Sequence, residues 1–190
     1  MILIVLEGKR DISYITNLPG AAERLKIFNA DLDEPESFAP AVQGCYGVFH
    51  MAHPLDFSDN ESEEVKLKRV TSALRGILRI CAATKTVKRV VYTSSISTAA
   101  FKSGGGVTDE SSWTDVEAIR SMKMFGGSYI VTKTVTERAA IDLAAELGLD
   151  LVSVLPTWIT GPFICPNFPD TVLASLALLL GIFILQTMFN

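Results

Sequence analysis

At 190 residues the chain has room for one domain with a real core and is too short for two well-formed ones. Its 17 basic and 21 acidic residues nearly cancel, so neither nucleic acid nor an anionic membrane surface is favoured as a partner. Cys45, Cys81 and Cys165 are odd in number and widely spaced, and read as reduced, mostly buried residues of an intracellular, cytoplasmic protein. His50 and His53 have no acidic or cysteine partner at ligand spacing, so no metal is expected.

In chain order, Met1 to Leu6 are apolar but too few for a secretory core, and the charges Glu7, Lys9 and Arg10 follow rather than precede them. Residues 25–30 read as a strand, followed by the turn Asp31-Leu32-Asp33-Glu34-Pro35 and a short helix to Val42. Residues 46–52 form the next strand, closed by Pro54. The longest helix is expected over 61–84, with Val70, Ala73, Leu74, Ile77, Leu78 and Cys81 spaced for one buried stripe. Its acidic start, Glu61, Glu63 and Glu64, complements the helix dipole.

A buried-type strand then ends Val90-Val91-Tyr92-Thr93-Ser94-Ser95. A polar loop holds Gly104-Gly105-Gly106, which lacks the strand before it and the Lys-Ser/Thr after it that a phosphate loop needs, and so reads as a surface loop. Helices follow near 114–123 and over 128–147, then a strand at 149–155. Strands alternating with helices of these lengths mean βαβ units, so the fold class is α/β: a doubly wound parallel sheet. The division expected is a Rossmann-like domain over 1–165 and an apolar C-terminal segment over 166–190.

The chemistry is concentrated in the penultimate segment. In a helix over 128–147, Tyr129 and Lys133 share a face at i,i+4 spacing, where a fixed ammonium stabilises phenolate. A phenol with a reference pKa of about 10 is otherwise a poor proton donor near neutral pH. The pair alone is weak evidence, since an ordinary surface pair has the same spacing. The strand end before it carries the weight, because open α/β sheets place their ligand crevice at the carboxyl ends of strands. Such a site suits proton delivery to a carbonyl oxygen while hydride reaches the carbon.

Several runs together resemble a known family. They are Asn29-Ala30-Asp31-Leu32, Gly44-Cys45-Tyr46-Gly47-Val48-Phe49-His50-Met51-Ala52-His53-Pro54, Thr93-Ser94-Ser95, Tyr129 with Lys133, and Pro156-Thr157 with Gly161-Pro162. The chain resembles the extended short-chain dehydrogenase/reductases. More narrowly, it is similar to the plant branch holding dihydroflavonol 4-reductase, anthocyanidin reductase, cinnamoyl-CoA reductase and vestitone reductase. The stretch from Gly8-Lys9-Arg10-Asp11 to Asn17-Leu18-Pro19-Gly20 most resembles vestitone reductase.

The resemblance implies a fold, a cofactor and a set of roles. Tyr129 would protonate the substrate oxygen, Lys133 would support it and hold the nicotinamide ribose, and Ser95 would hydrogen-bond the reacting oxygen. Ser95 is preferred to Ser94 because the family uses the second serine, and because alternation lets only one of them face the crevice. Asp31 and Leu32 would contact the adenine, and Met51, Ala52 and His53 would line the cofactor's middle. Pro156 would pack near the nicotinamide, and Thr93 would be a further cofactor-binding residue. The implied cofactor is NADP(H), and the implied substrate is a small phenolic carbonyl of the flavonoid or phenylpropanoid class. Ala100 stands where dihydroflavonol reductases carry a substrate-contacting Asn, which points towards the vestitone or anthocyanidin relatives.

Two departures from the family pattern set further expectations. The opening strand with its Gly-x-x-Gly-x-x-Gly turn is not in this sequence. That strand is central in the usual 3-2-1-4-5-6 order, so the sheet is expected to show a gap or two raw edges. The basic residue that selects a 2′-phosphate is missing as such, with Lys9 and Arg10 close enough in sequence to contribute. At the other end the chain runs apolar from Val172 to Phe189 without a Lys or Arg after Arg138, and this reads as a core helix running into a replaced tail rather than as a membrane anchor. The alternative to an active reductase is a truncated, inactive variant that pairs with a full-length relative. A third reading is a membrane-attached interaction protein.

Overall fold

The structure is a computed structural model, and it describes residues 2–5, 11–53, 61–124 and 126–180. In chain order the elements are β1 (Ile2–Val5), α1 (Ser13–Thr16), α2 (Ala21–Arg24), β2 (Lys26–Asn29), a 3-10 turn at Pro35–Phe38, α3 (Ala39–Val42) and β3 (Gly47–His50). The second half holds α4 (Glu63–Ala83), β4 (Arg89–Thr93), α5 (Ser97–Ala100), α6 (Val116–Met122), α7 (Gly127–Leu147), β5 (Leu151–Val154) and α8 (Asp170–Leu180). The chain is α/β and Rossmann-like, as its alternating periods require. The expected closing residue of β3, Pro54, lies outside the described residues, as do Lys9 and Arg10.

The strands fall into two sheets, β1-β2 and β3-β4-β5. Among the described residues the strands thus form a pair and a trio, in keeping with the gap expected in the sheet. Strand β1 is an element not expected from the sequence, where Met1 to Leu6 are too few for a secretory core and carry no strand period. The trio is parallel, with Phe49 opposite Val91 and Val91 opposite Val152, and with His50 opposite Tyr92 and Tyr92 opposite Ser153. Two residue rows thus point to opposite faces of one sheet.

The core forms where α4 packs on α7 and both meet the sheet. Leu74, Leu78, Cys81, Val90 and Tyr92 are at most 1% exposed, and they join Phe38, Val42 and Ala140 in one cluster. Every residue of the expected stripe on α4 is buried. Ser62 caps that helix by accepting from the Val65 amide, and Glu63 and Glu64 occupy its first turn. Gly76 is where α4 approaches the 3-10 turn, and a Cβ there would come within 2.3 Å of the Pro35 Cβ. Asp115 caps α6 through the Ala118 amide at 3.0 Å.

Helix α7 ends at Gly148, whose φ of 63° is left-handed. The Leu149 amide returns to the Ala144 carbonyl at 2.8 Å, closing the helix so that the chain can enter β5. Gly104, Gly105 and Gly106 all have positive φ and no neighbour within 4 Å of an added Cβ, as an exposed loop allows. All three cysteines are free, but only Cys81 is fully buried; Cys45 and Cys165 are half-exposed, so "mostly buried" holds for one of the three. Burial pushes the Cys81 thiol up to about 11.

The chain divides into two compact units, one built on Phe28–Thr157 and the other on Gly8–Ile27 with Trp158–Asn190. The boundary expected at 165/166 falls inside the second of these. Every candidate site residue lies in the first. Among the described residues no helix is long and apolar enough to cross a membrane, and the apolar run beyond Leu180 lies outside them.

Candidate active site

The candidate site sits at the carboxyl ends of β3, β4 and β5, roofed by the first half of α7. Helix α7 brings Tyr129 and Lys133 to one face, and Lys133 is 4% exposed. Its ammonium donates to the Thr93 carbonyl at 3.0 Å, at the last residue of β4, and stands 5.5 Å from the centre of the Tyr92 ring. Burial lowers the Lys133 pKa to about 8, with the Glu137 charge acting against that fall. Tyr129 is half-buried, and its ring meets His53 edge-on at 5.8 Å. His53, Arg69, Ser128, Tyr129 and Thr132 line a small cleft beside it, together with Lys66 from α4.

The two serines after β4 part company. Ser94 is 4% exposed, and its hydroxyl donates to Glu137 Oε2 at 2.6 Å, so it is committed to the interior. Ser95 is half-buried, and its Oγ accepts from the Ser97 amide at 3.2 Å and from the Ser97 hydroxyl at 3.0 Å. Pro156 is joined to this loop, because its carbonyl accepts from the Ile96 amide at 3.0 Å. The strand-end residues Thr93, Ser95 and Pro156 are therefore neighbours by direct bonds or by sequence.

At the end of β3, Met51 is 65% exposed while Ala52 packs against the core cluster. His50 is 8% exposed and stacks at a tilt on Tyr92, with ring centres 5.7 Å apart. Burial and the Lys133 charge hold its pKa at about 4, and the same two causes, with His50 added, hold His53 at about 3. Both imidazoles are neutral at physiological pH. The Tyr92 hydroxyl is buried without a hydrogen-bond partner, and burial drives its phenol well above the ordinary range.

The residues expected at the adenine lie in a separate turn. Asp31 is held by its own loop: its amide donates to Ser37 Oγ at 2.9 Å and its carboxylate accepts from the Asp33 amide at 2.9 Å. Leu32 is 8% exposed and packs in the core with Phe38 and Val42, so its side chain faces the interior and only its backbone is left to meet a ligand. Glu137, a buried carboxylate four residues past Lys133, is a further polar residue here that the sequence pattern did not single out. The signal was available, since the Tyr-x-x-x-Lys spacing continues by another x-x-x-Glu.

A parallel strand end with a buried lysine and a tyrosine one turn before it marks the Rossmann-type oxidoreductases called extended short-chain dehydrogenase/reductases. The chain belongs to the NAD dependent epimerase/dehydratase family, whose sequence pattern matches residues 5–180. It is similar to vestitone reductase from Medicago sativa, being 48% identical over 176 residues, 92% of this chain and 54% of that relative. It is also similar to dihydroflavonol 4-reductase from Zea mays, 45% identical over 168 residues, 88% of this chain and 47% of that relative. The crystal structure of the alfalfa vestitone reductase matches with a TM-score of 0.83 at 43% identity, over 93% of this chain and 55% of that one. The chain thus spans about half the length of the curated relatives it matches.

Proposed function

We propose that the chain is an NADP(H)-dependent reductase of the short-chain type, acting on a flavonoid, isoflavonoid or related phenylpropanoid carbonyl. The observation that carries this reading is the Tyr129–Lys133 face of α7 set over the ends of the parallel strands, with Lys133 fixed on the Thr93 carbonyl. The names of the plant relatives support the substrate class, and membership of the family supports a nicotinamide cofactor.

The donor set fits the nicotinamide-ribose end of such a cofactor. An ammonium has three N–H donors, and Lys133 uses one on Thr93, leaving two for ribose hydroxyls. His53 offers a neutral imidazole beside Tyr129. No glycine-rich turn leads from a strand into a helix among the described residues, so the fit extends to that end alone. Bound there, NADPH supplies hydride to the carbonyl carbon.

Within the chain itself, Tyr129 gives its phenolic proton to the substrate oxygen and Lys133 stabilises the phenolate left behind. Ser95 accepts both of its bonds from Ser97, so its own O–H remains to donate to the same substrate oxygen. Met51, Ala52 and His53 would hold the middle of the cofactor, Pro156 would lie by its nicotinamide, and Thr93 would contribute through the carbonyl that fixes Lys133. Asp31 and the Leu32 backbone would hold the adenine. Turnover of an isoflavanone or a dihydroflavonol with NADPH tests these roles: Tyr129→Phe is expected to slow it by at least about 100-fold. Turnover that persists in Tyr129→Phe refutes the assignment.

A further inference from the structure

Helix α7 carries three polar residues at i, i+4 and i+8: Tyr129, Lys133 and Glu137. Glu137 is 3% exposed, and both of its carboxylate oxygens are occupied. Ser94 Oγ donates to Oε2 at 2.6 Å, and Ser153 Oγ donates to Oε1 at 2.5 Å. Ser94 follows β4 and Ser153 lies within β5, so one carboxylate ties two adjacent strands to the helix. One residue before Ser94, the Thr93 carbonyl receives the Lys133 ammonium at 3.0 Å. Two bonds of opposite sense, Lys133 to Thr93 and Ser94 to Glu137, therefore lock two successive turns of the helix to the same strand end.

A carboxylate buried without a cation beside it is costly, and so is a buried ammonium. The titratable groups around Lys133 are His50 and His53 from the β3 end, Tyr92 from β4, and Tyr129 and Glu137 from α7, with Lys66 and Arg69 of α4 lining the cleft next to Tyr129. Among the described residues, Glu137 is the carboxylate of this group. We infer that Glu137 is a positioning residue for Lys133: it holds the Thr93 carbonyl and the lysine in register and supplies the negative charge that keeps the buried ammonium protonated. The bonding explains why the charge sits there. The two serine hydroxyls stabilise the carboxylate in the interior, and the carboxylate in turn supports the lysine one turn away. This role rests on the reductase reading for its purpose, but its physical content is a property of the chain without any ligand.

The experiment is a titration of the Lys133 side chain by NMR in lysine-labelled full chain, with the resonance assigned through Lys133→Arg. The wild type is expected to titrate near 8. Glu137→Gln keeps the shape and removes the charge, and is expected to lower the midpoint by about one unit or more. Ser153→Ala removes one donor but leaves the carboxylate, so its midpoint is expected to stay within about 0.3 of wild type. A residue that merely braces the strands would lower thermal stability in Glu137→Gln and leave the midpoint in place, and that result overturns the inference. A fall in Ser153→Ala as large as that in Glu137→Gln also overturns it, because packing rather than charge would then set the value. If Glu137→Gln does not fold, Glu137→Asp retains the charge on a shorter arm and is expected to keep the midpoint within about 0.5 of wild type; a fall of about one unit or more with the charge retained overturns the role. NADPH binding is scored separately, so failure of the reductase reading and failure of the Glu137 role are distinct outcomes.

Discussion

The two faces of the β3-β4-β5 sheet differ sharply. The row His50–Tyr92–Ser153 faces α4 and α7: His50 and Tyr92 are 8% and 1% exposed, and Ser153 bonds to Glu137. The row Phe49–Val91–Val152 faces the other way, where Phe49 is 71% exposed and Val152 38%. Parallel sheets ordinarily bury both faces, so the second row has the composition of a core without its packing. All the chemistry-bearing contacts, Lys133 to Thr93, Ser94 and Ser153 to Glu137, and His50 against Tyr92, belong to the covered side. The candidate site is thus defined by one helix and the strand ends beneath it, on the covered face.

Truncation of the core on the covered side should be the costliest change. Leu78 on α4 is fully buried, so Leu78→Ala is expected to cost about 2–5 kcal/mol in urea denaturation. A loss below about 1 kcal/mol would mean that the covered side is not packed as described.

Acid offers a second test of the same side. His50 has a folded pKa of about 4 against an ordinary 6.5, so below 6.5 the unfolded chain binds a proton that the folded chain refuses. Stability contributed by the neutral imidazole is therefore complete above 6.5 and is lost as pH falls towards 4, by about 3 kcal/mol at roughly 1.4 kcal/mol per tenfold. His53 acts in the same direction. Urea midpoints measured across this range should fall in wild type and fall less steeply in His50→Leu.

Next in size is Gly76→Ala, whose new Cβ meets Pro35 at 2.3 Å and should cost about 1–3 kcal/mol despite the better helix propensity of alanine. A stabilised variant would show that the 3-10 turn moves aside freely. The smallest effect is expected on the open face, where Phe49→Ser should change stability by no more than about 0.5 kcal/mol. A cost comparable to that of Leu78→Ala would show that the face is covered in solution.

What could be read from the sequence followed what is periodic or local. The stripe on α4 came from 3.6-residue spacing, and its buried members match the structure residue by residue. The end of β4, the helix that follows the polar loop, and the preference for Ser95 over Ser94 came from alternation and from family resemblance. The inward turn of Ser94 to Glu137 gives a physical reason to keep those two serines apart. Strand β1 escaped because a four-residue apolar run has no period to distinguish strand from leader. Glu137 escaped because a charged residue at a helical position is ordinarily solvated, and its burial depends on hydroxyls from two strands distant in sequence. Leu32 shows the converse, since a residue carried over as a cofactor contact also serves the core, and the sequence does not say which of its groups does which.

Under the proposed function, the Tyr129–Lys133 face serves a nicotinamide cofactor. Titrating the purified chain with NADPH while following nicotinamide fluorescence tests it most directly. Saturable binding below the millimolar range is expected, weakening at least about tenfold in Lys133→Met, which removes the ammonium offered to the ribose. Binding that is undetectable in wild type, or that Lys133→Met leaves unchanged, would contradict it.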